Sequence, residues 1–313
     1  SFIAKTSSYN LNENIIKLKE VKEILVADAI VNPTEDFIIE KDAFIPTISN
    51  ARILANTTTK YHEFSNSNIN ILGRNNYTAS GDYTYVDALG QEQYIFFSNI
   101  SVNNENNTIG TGQVNGSSPF NIGSKFLFKG NVNLIASNTL LTFDGFFRIK
   151  SNCNLIDEQW VGFSSEINPK QIQFKLDSAL SNDEGDRLST GVLMNLDSTH
   201  MYTSFLSLKE RPIDVEIISA NTYLSYDKRN SSFIIQGEDS LSNIFVFNEN
   251  SCKSQAEGLI DINMDFGQLK TKSLGFLDRD ERNNKTELQI FLLLDFMFSK
   301  EALSIMAKDI FDA

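Results

Sequence analysis

Only two histidines occur in the chain, His62 and His200. A Ser–His–Asp or Cys–His nucleophile would need one of them as its base. Their settings, Lys60-Tyr61-His62-Glu63-Phe64 and Ser198-Thr199-His200-Met201-Tyr202, hold no nucleophile elbow, and no G-x-S-x-G occurs. Both are expected to be plain strand or surface residues. Two carboxylates can hydrolyse glycosides without histidine. Asp82 with Asp87, Asp144 in Thr142-Phe143-Asp144-Gly145, and Asp261 with Asp265 are candidates, but among 40 acidic residues suitable-looking pairs always arise. Asp261 and Asp265 read as one solvated strand face. Oxygen ligands of the kind calcium takes gather at Asp278-x-Asp280 with Asn283, and at Asp183, Glu184 and Asp186. The first group lacks the mid-loop Gly and terminal Glu of an EF-hand, and both are expected to be solvated acidic turns. No G-x-x-x-x-G-K or G-x-G-x-x-G is present to cradle phosphates. The expectation is no catalytic residue, no cofactor and no metal ligand.

Cys153 and Cys252 are the only cysteines. A bridge closing a loop of ~100 residues would add about 4.7 kcal/mol in the chain-entropy account. Two buried thiols satisfy the sequence equally well, and no Cys-x-x-Cys or Cys/His spacing suggests zinc. Tyr77, Tyr83 and Tyr85 form a stripe at alternate positions. Exposed tyrosines on a sheet can stack on sugar rings. The intervening residues are Thr78, Asp82 and Thr84, however, so the stripe is expected to be the buried face. Seven N-x-S/T sequons occur, among them Asn56, Asn76, Asn99 and Asn284, and 34 Asn make that number unremarkable.

Charge narrows the partners. There are 27 Lys+Arg against 40 Asp+Glu in 313 residues, a net charge of −13. Nucleic acid is excluded as a partner, because phosphates need clustered basic side chains. Electrostatic attachment to anionic membranes is disfavoured for the same reason. The longest apolar run, Leu288 to Phe298, is broken by Gln289 and Asp295 and falls short of the ~20 residues that span a bilayer. No transmembrane segment is expected, and no signal peptide is visible.

The elements that must hold these residues are strands. Phe and Tyr number 24 and 9, Pro only 5, and the abundant Asn suits turns and positive-φ corners. Phe126, Phe128, Gly130, Val132, Leu134 and Ala136 alternate with mostly polar neighbours. After Ser137-Asn138-Thr139 the phase resumes at Leu141, Phe143, Gly145, Phe147 and Ile149. Period two over both arms means a hairpin with one buried face. A second hairpin runs from Tyr77 to Val86, turns at Asp87-Ala88-Leu89-Gly90, and returns over Tyr94 to Val102. A third pairs Tyr223–Tyr226 with Ser232–Gln236. Small-or-polar residues followed by apolar pairs recur at irregular intervals, as in Ala29-Ile30-Val31 and Asn68-Ile69-Asn70-Ile71, which fits stacked β-layers. The stretch from Ile167 to Ser181 is open to helix or strand. Ser299 can cap a helix whose one face carries Leu303, Met306, Ala307 and Ile310. That helix runs to the end without a Gly or Pro stop, and the chain is expected to be a piece of a longer protein. The fold expected is mostly β: stacked antiparallel layers, solenoid- or sandwich-like, with a short C-terminal helix. Two halves are expected, 1–151 and 152–313, joined near Asn152 to Trp160.

The runs Ile45-Pro46-Thr47 to Asn50-Ala51, Tyr77 to Asp87, Phe128-Lys129-Gly130 to Leu141-Thr142-Phe143-Asp144-Gly145, and Gly258 to Asn263 with Phe266-Gly267 carry a resemblance. Over about half of the chain, the sequence resembles large uncharacterised β-rich cell-envelope proteins of Bacteroidetes-type bacteria. The resemblance implies secretion across the inner membrane, a long β-rich parent chain and no known catalytic residues. Phe128 to Ala136 is also similar in texture to the β-layers of lipopolysaccharide-transport (OstA-like) proteins. The function expected is a non-catalytic envelope or surface module, periplasmic, outer-membrane-associated or cell-surface, that scaffolds or binds among other envelope proteins, with a glycan or lipid as ligand. The alternatives are a lipid-conducting β-groove and a carbohydrate-active enzyme.

Overall fold

The computed structural model describes residues 1–41, 44–117, 119–176, 179–198, 200–237, 242–260, 269–296 and 299–311, with backbone alone for 269–272 and 293–296. The strands are β1 (Phe2–Asn10), β2 (Ile15–Val26), β3 (Ala29–Asn32), β4 (Phe37–Ile39), β5 (Ile48–Ala55), β6 (His62–Gly73), β7 (Asn76–Val86), β8 (Glu92–Val102), β9 (Thr108–Val114), β10 (Phe120–Gly123), β11 (Phe126–Ile135) and β12 (Leu141–Ile149). They continue as β13 (Trp160–Ile167), β14 (Gln173–Lys175), β15 (Ser189–Met194), β16 (Met201–Ser207), β17 (Val215–Ser219), β18 (Tyr223–Asp227), β19 (Ser232–Gln236), β20 (Ile244–Asn248), β21 (Lys253–Ile260), β22 (Leu269–Asp280) and β23 (Lys285–Phe296). One helix, α1 (Lys300–Phe311), follows. The mostly-β, layered fold with a short C-terminal helix is what the alternation and the Ser299 cap predict. The ambiguous stretch after Ile167 is not helical among its described residues: it turns at Asn168 to Gln171 and then forms β14.

The chain divides into two compact units, 1–150 with 160–174, and 151–159 with 175–313. The segment 151–159 thus belongs with the later strands, although the residues directly after it return to the first unit. In the first unit one antiparallel meander runs in the order β1-β2-β3-β5-β6-β7-β8-β9-β11-β12-β13, with β4 beside β2 and β10 beside β11. The sheet folds over its own apolar face. Thr59, just before β6, donates to the carbonyl of Ala136 at 3.0 Å, and the Thr108 backbone amide donates to Asp28 at 2.9 Å, joining strands far apart in the order.

The hairpin of β11 and β12 pairs in the predicted phase, with Phe128 opposite Phe147 and Val132 opposite Phe143. Phe126, Phe128, Val132, Leu134, Leu141, Phe143, Phe147 and Ile149 are all buried. Their rings interlock edge to face, Phe128 with Phe143 at 5.0 Å and Phe126 with Phe147 at 6.0 Å, the geometry that brings ring edges onto ring faces. Tyr77 and Tyr85 are buried as expected, and Tyr83 is half-buried. Each buried hydroxyl has a partner: Tyr77 meets Thr108 Oγ1 at 2.6 Å and Tyr85 donates to the carbonyl of Ile122 at 2.8 Å.

In the second unit, β16-β15-β17 form one sheet, and β18 to β23 run in sequence order in another. Phe205 of β16 stacks on Phe245 at 5.8 Å and on Phe247 at 5.4 Å, both of β20, so the sheets share an aromatic core. Ser299 Oγ accepts from the backbone amide of Ala302 at 3.2 Å, capping α1, which buries none of its residues. No helix among the described residues is long and apolar enough to cross a membrane.

Candidate functional site

The structure places most of the candidates in local structural contacts. His62 is buried under the β6–β7 surface, with Nε2 2.7 Å from the carbonyl of Asn138 and Nδ1 3.1 Å from the Tyr83 hydroxyl. A carbonyl only accepts, so Nε2 carries the proton and Nδ1 accepts from Tyr83. Burial lowers the imidazole pKa, partly opposed by the bond to Asn138. His200 is exposed in the second unit, its ring stacked on Tyr202 at 6.1 Å.

The carboxylates are similarly occupied. Asp87 is buried and accepts from the backbone amides of Leu89 and Gln91 at 2.8 and 2.9 Å, closing the predicted turn. Asp82 accepts from Asn66 Nδ2 at 3.1 Å. Asp144 is exposed, opposite Asn131 in the ladder. Asp261 and Asp265 lie outside the described residues. Asp280 accepts from Asn283 Nδ2 at 2.9 Å and from the amides of Arg282 and Asn283 at 3.0 and 3.3 Å. Asp278 lies beside Gln255 Nε2, 3.2 Å away on the neighbouring strand. In the other acidic loop Asn182 Oδ1 accepts from the amides of Glu184 and Asp186 at 3.1 and 2.7 Å. Among the described residues no cluster of three His, Cys, Asp or Glu is arranged to hold a metal ion.

A cleft of about 130 Å³ in the second unit gathers several polar side chains. Leu155, Ile156, Phe205 and Phe247 supply its apolar lining, and Asp157, Thr203, Ser254 and Glu281 supply polar groups. Glu281 is the hub. Thr203 and Ser254 both donate to its Oε1, Ser254 at 2.9 Å, and Arg279 Nε donates to its Oε2 at 2.8 Å. Arg279 is buried, and its remaining donors reach the carbonyl of Met201 at 3.2 Å, Thr286 Oγ1 at 2.8 Å and Asn284 Oδ1 at 2.7 Å. A buried guanidinium satisfied on every side is a fixed electrostatic anchor. The Glu281 carboxylate accepts on both oxygens from these neighbours and is fixed in place by them.

The cleft depends on a cross-link. Cys153 and Cys252 form a disulfide across 99 residues, with Cα atoms 5.6 Å apart. The bridge ties the segment that carries Leu155 and Ile156 to the start of the strand that carries Ser254. Glu249, itself buried, reinforces it by accepting from the Asn152 amide at 2.9 Å and the Tyr226 hydroxyl at 2.6 Å.

Thr203, Ser254 and Glu281 went unseen in the sequence because 27 to 78 residues separate the partners. One signal was there. Arg279 follows Leu277 by two residues, so a strand with Leu277 inward must turn a guanidinium inward as well. Compared with known proteins, the chain matches no family model, no curated protein and no solved structure.

Proposed function

We propose that the chain is a non-catalytic β-module of the cell envelope or cell surface that scaffolds or binds within a larger assembly. The observation that carries this reading is the Cys153–Cys252 bridge, which uses both cysteines of the chain. Structural disulfides form and persist in oxidising compartments outside the cytoplasm. An assembly role draws support from the outer face of β21 to β23. Leu259, Leu274 and Phe291 lie in one row across the three strands, with Phe276 beside them, and all four are exposed. Contiguous exposed apolar side chains mark interaction surfaces.

The alternatives draw less support. A lipid-conducting groove needs an open apolar strip; in the first unit Ile24, Val31, Ile53, Phe64 and Phe97 are all buried, and the exposed row on β21 to β23 is a sheet face rather than a lined groove. A glycosidase needs two free carboxylates about 5 to 9.5 Å apart. Asp87 closes its turn; in the cleft Glu281 accepts from Arg279, Thr203 and Ser254, and Asp157 accepts from Gln159 Nε2 at 2.7 Å. The test is fractionation of cells that make the chain, followed by immunoblotting of each compartment. Recovery with the periplasm, outer membrane or surface is expected. Recovery in the cytosol alone would overturn the reading.

A further inference from the structure

We propose that the outer face of the first unit holds a glycan-binding groove built on Tyr61, Glu63 and Tyr94. This deepens the binding reading above by naming a ligand class, and it stands independently of the disulfide. A surface groove of about 290 Å³ is lined by Tyr61, Glu63, Ser65, Tyr83 and Thr84. Glu63 of β6 stands one residue beyond the last β6–β7 pair, Phe64 opposite Tyr83, and lines the groove together with Thr84, which lies opposite Tyr94 of β8. One row therefore runs from a carboxylate through a hydroxyl to an aromatic ring. It covers two strand spacings, about 10 Å, a span that suits a di- or trisaccharide. The next row carries the same three kinds of group with the first two exchanged: Ser65 opposite Asp82, and Asp82 opposite Phe96.

Tyr61 lines the groove, and Tyr94 and Phe96 stand beside it on β8. Tyr61, Tyr94 and Phe96 are 51%, 66% and 54% exposed, although large aromatic side chains lose free energy in water. Tyr61 sits against His62, ring centroids 6.4 Å apart, and His62 is clamped between Tyr83 and Asn138, so that part of the groove has a rigid base. Beside the groove, Arg52 of β5 binds both oxygens of Glu63 through Nε and Nη2, while both side chains stay about half exposed.

Sugar rings have an apolar C–H face and a belt of hydroxyls. The tyrosine and phenylalanine faces offer the complement of the first. The Arg52–Glu63 pair sets donors beside acceptors, which is what a pair of neighbouring hydroxyls needs. Other ligands fit less well. Glu63 neutralises Arg52 and Asp82 adds negative charge, so phosphates and acidic glycans are disfavoured. The hydroxyls and charges near the rings would be left unpaired under a lipid chain, at a desolvation cost. The class that remains is a neutral oligosaccharide.

The experiment is isothermal titration of the purified chain with cellohexaose, xylohexaose, mannohexaose, laminarihexaose and chitohexaose. At least one is expected to bind. Tyr61→Ala, Tyr94→Ala and Glu63→Gln should each weaken it by about tenfold, the scale of one lost platform or charged hydrogen bond. Leu72→Ala, exposed at the far end of β6, should leave binding unchanged. All four positions are exposed, so melting temperatures should stay close to the parent value. No binding by any of the five sugars, or binding indifferent to all three groove variants, would overturn the proposal. Either result would leave the compartment assignment untouched.

Discussion

Gly130 and Gly145 face one another across the β11–β12 ladder, with φ of +144° and +158°. A Cβ on Gly145 would stand 2.4 Å from the carbonyl oxygen of Lys129 and 2.7 Å from the Cα of Gly130, and one on Gly130 would stand 3.1 Å from the tip of the Phe128 ring. The two backbones approach closely because neither residue has a side chain. Gly145→Ala should therefore destabilise by about 1–3 kcal/mol, as overpacking does. Gly73, which has nothing within 4 Å of its missing Cβ, is the control. Equal urea midpoints for the two alanine variants would contradict the register.

Phe143 is fully buried between Phe128 at 5.0 Å and Tyr85 at 5.7 Å, both edge to face. Phe143→Ala should cost ~3–5 kcal/mol, the lost transfer free energy plus a cavity that interlocked rings cannot collapse to fill. A melting temperature no lower than that of an exposed-site control, such as Leu89→Ala, would show that this face is not the core.

His62 makes stability depend on pH in a definite direction. Its folded pKa is lowered by burial, while an unfolded histidine titrates near 6.5. As the pH falls below about 6.5, the unfolded chain takes up a proton that the folded chain resists. The contribution is thus intact above that pH, declines as pH drops through it, and levels off below the folded pKa. His62→Gln should flatten this part of a melting-temperature profile taken from about pH 8 to about pH 5. A variant profile that runs parallel to the parent would contradict the buried, neutral imidazole.

Asp280 has a pKa below the usual carboxylate range, chiefly through the hydrogen bond from Asn283 Nδ2, with backbone amides adding to it. Its role is to close the β22–β23 turn. Chelator should leave the melting temperature unchanged, and Asp280→Ala should lower it equally with and without calcium. A shift of several degrees on calcium addition, abolished in that variant, would make this loop a metal site.

The hairpins were legible in the sequence because a half-buried strand must alternate, and Phe126 to Ala136 alternate up to the turn and Leu141 to Ile149 after it. The burial of Tyr77 and Tyr85 followed from the polar residues between them. The aromatic side chains that matter for the outer face were not legible. Tyr94 and Phe96 alternate with Ile95 and Phe97, so the strand is apolar on both faces and its pattern does not say which one meets water. The pairing of Cys153 with Cys252 was equally open, since two thiols 99 residues apart satisfy the sequence bridged or free. The Glu281 hub joins three elements that only the folded second unit brings together.

The Cys153–Cys252 bond ties the segment carrying Leu155 and Ile156 to the start of β21 and argues for an oxidising compartment. The most direct measurement takes the chain from the cells that make it, denatures it without reductant, treats it with iodoacetamide and weighs it intact. No carbamidomethyl adduct is predicted before reduction, and two after it. Two adducts on the unreduced chain would mean that both cysteines are free thiols and would contradict the account.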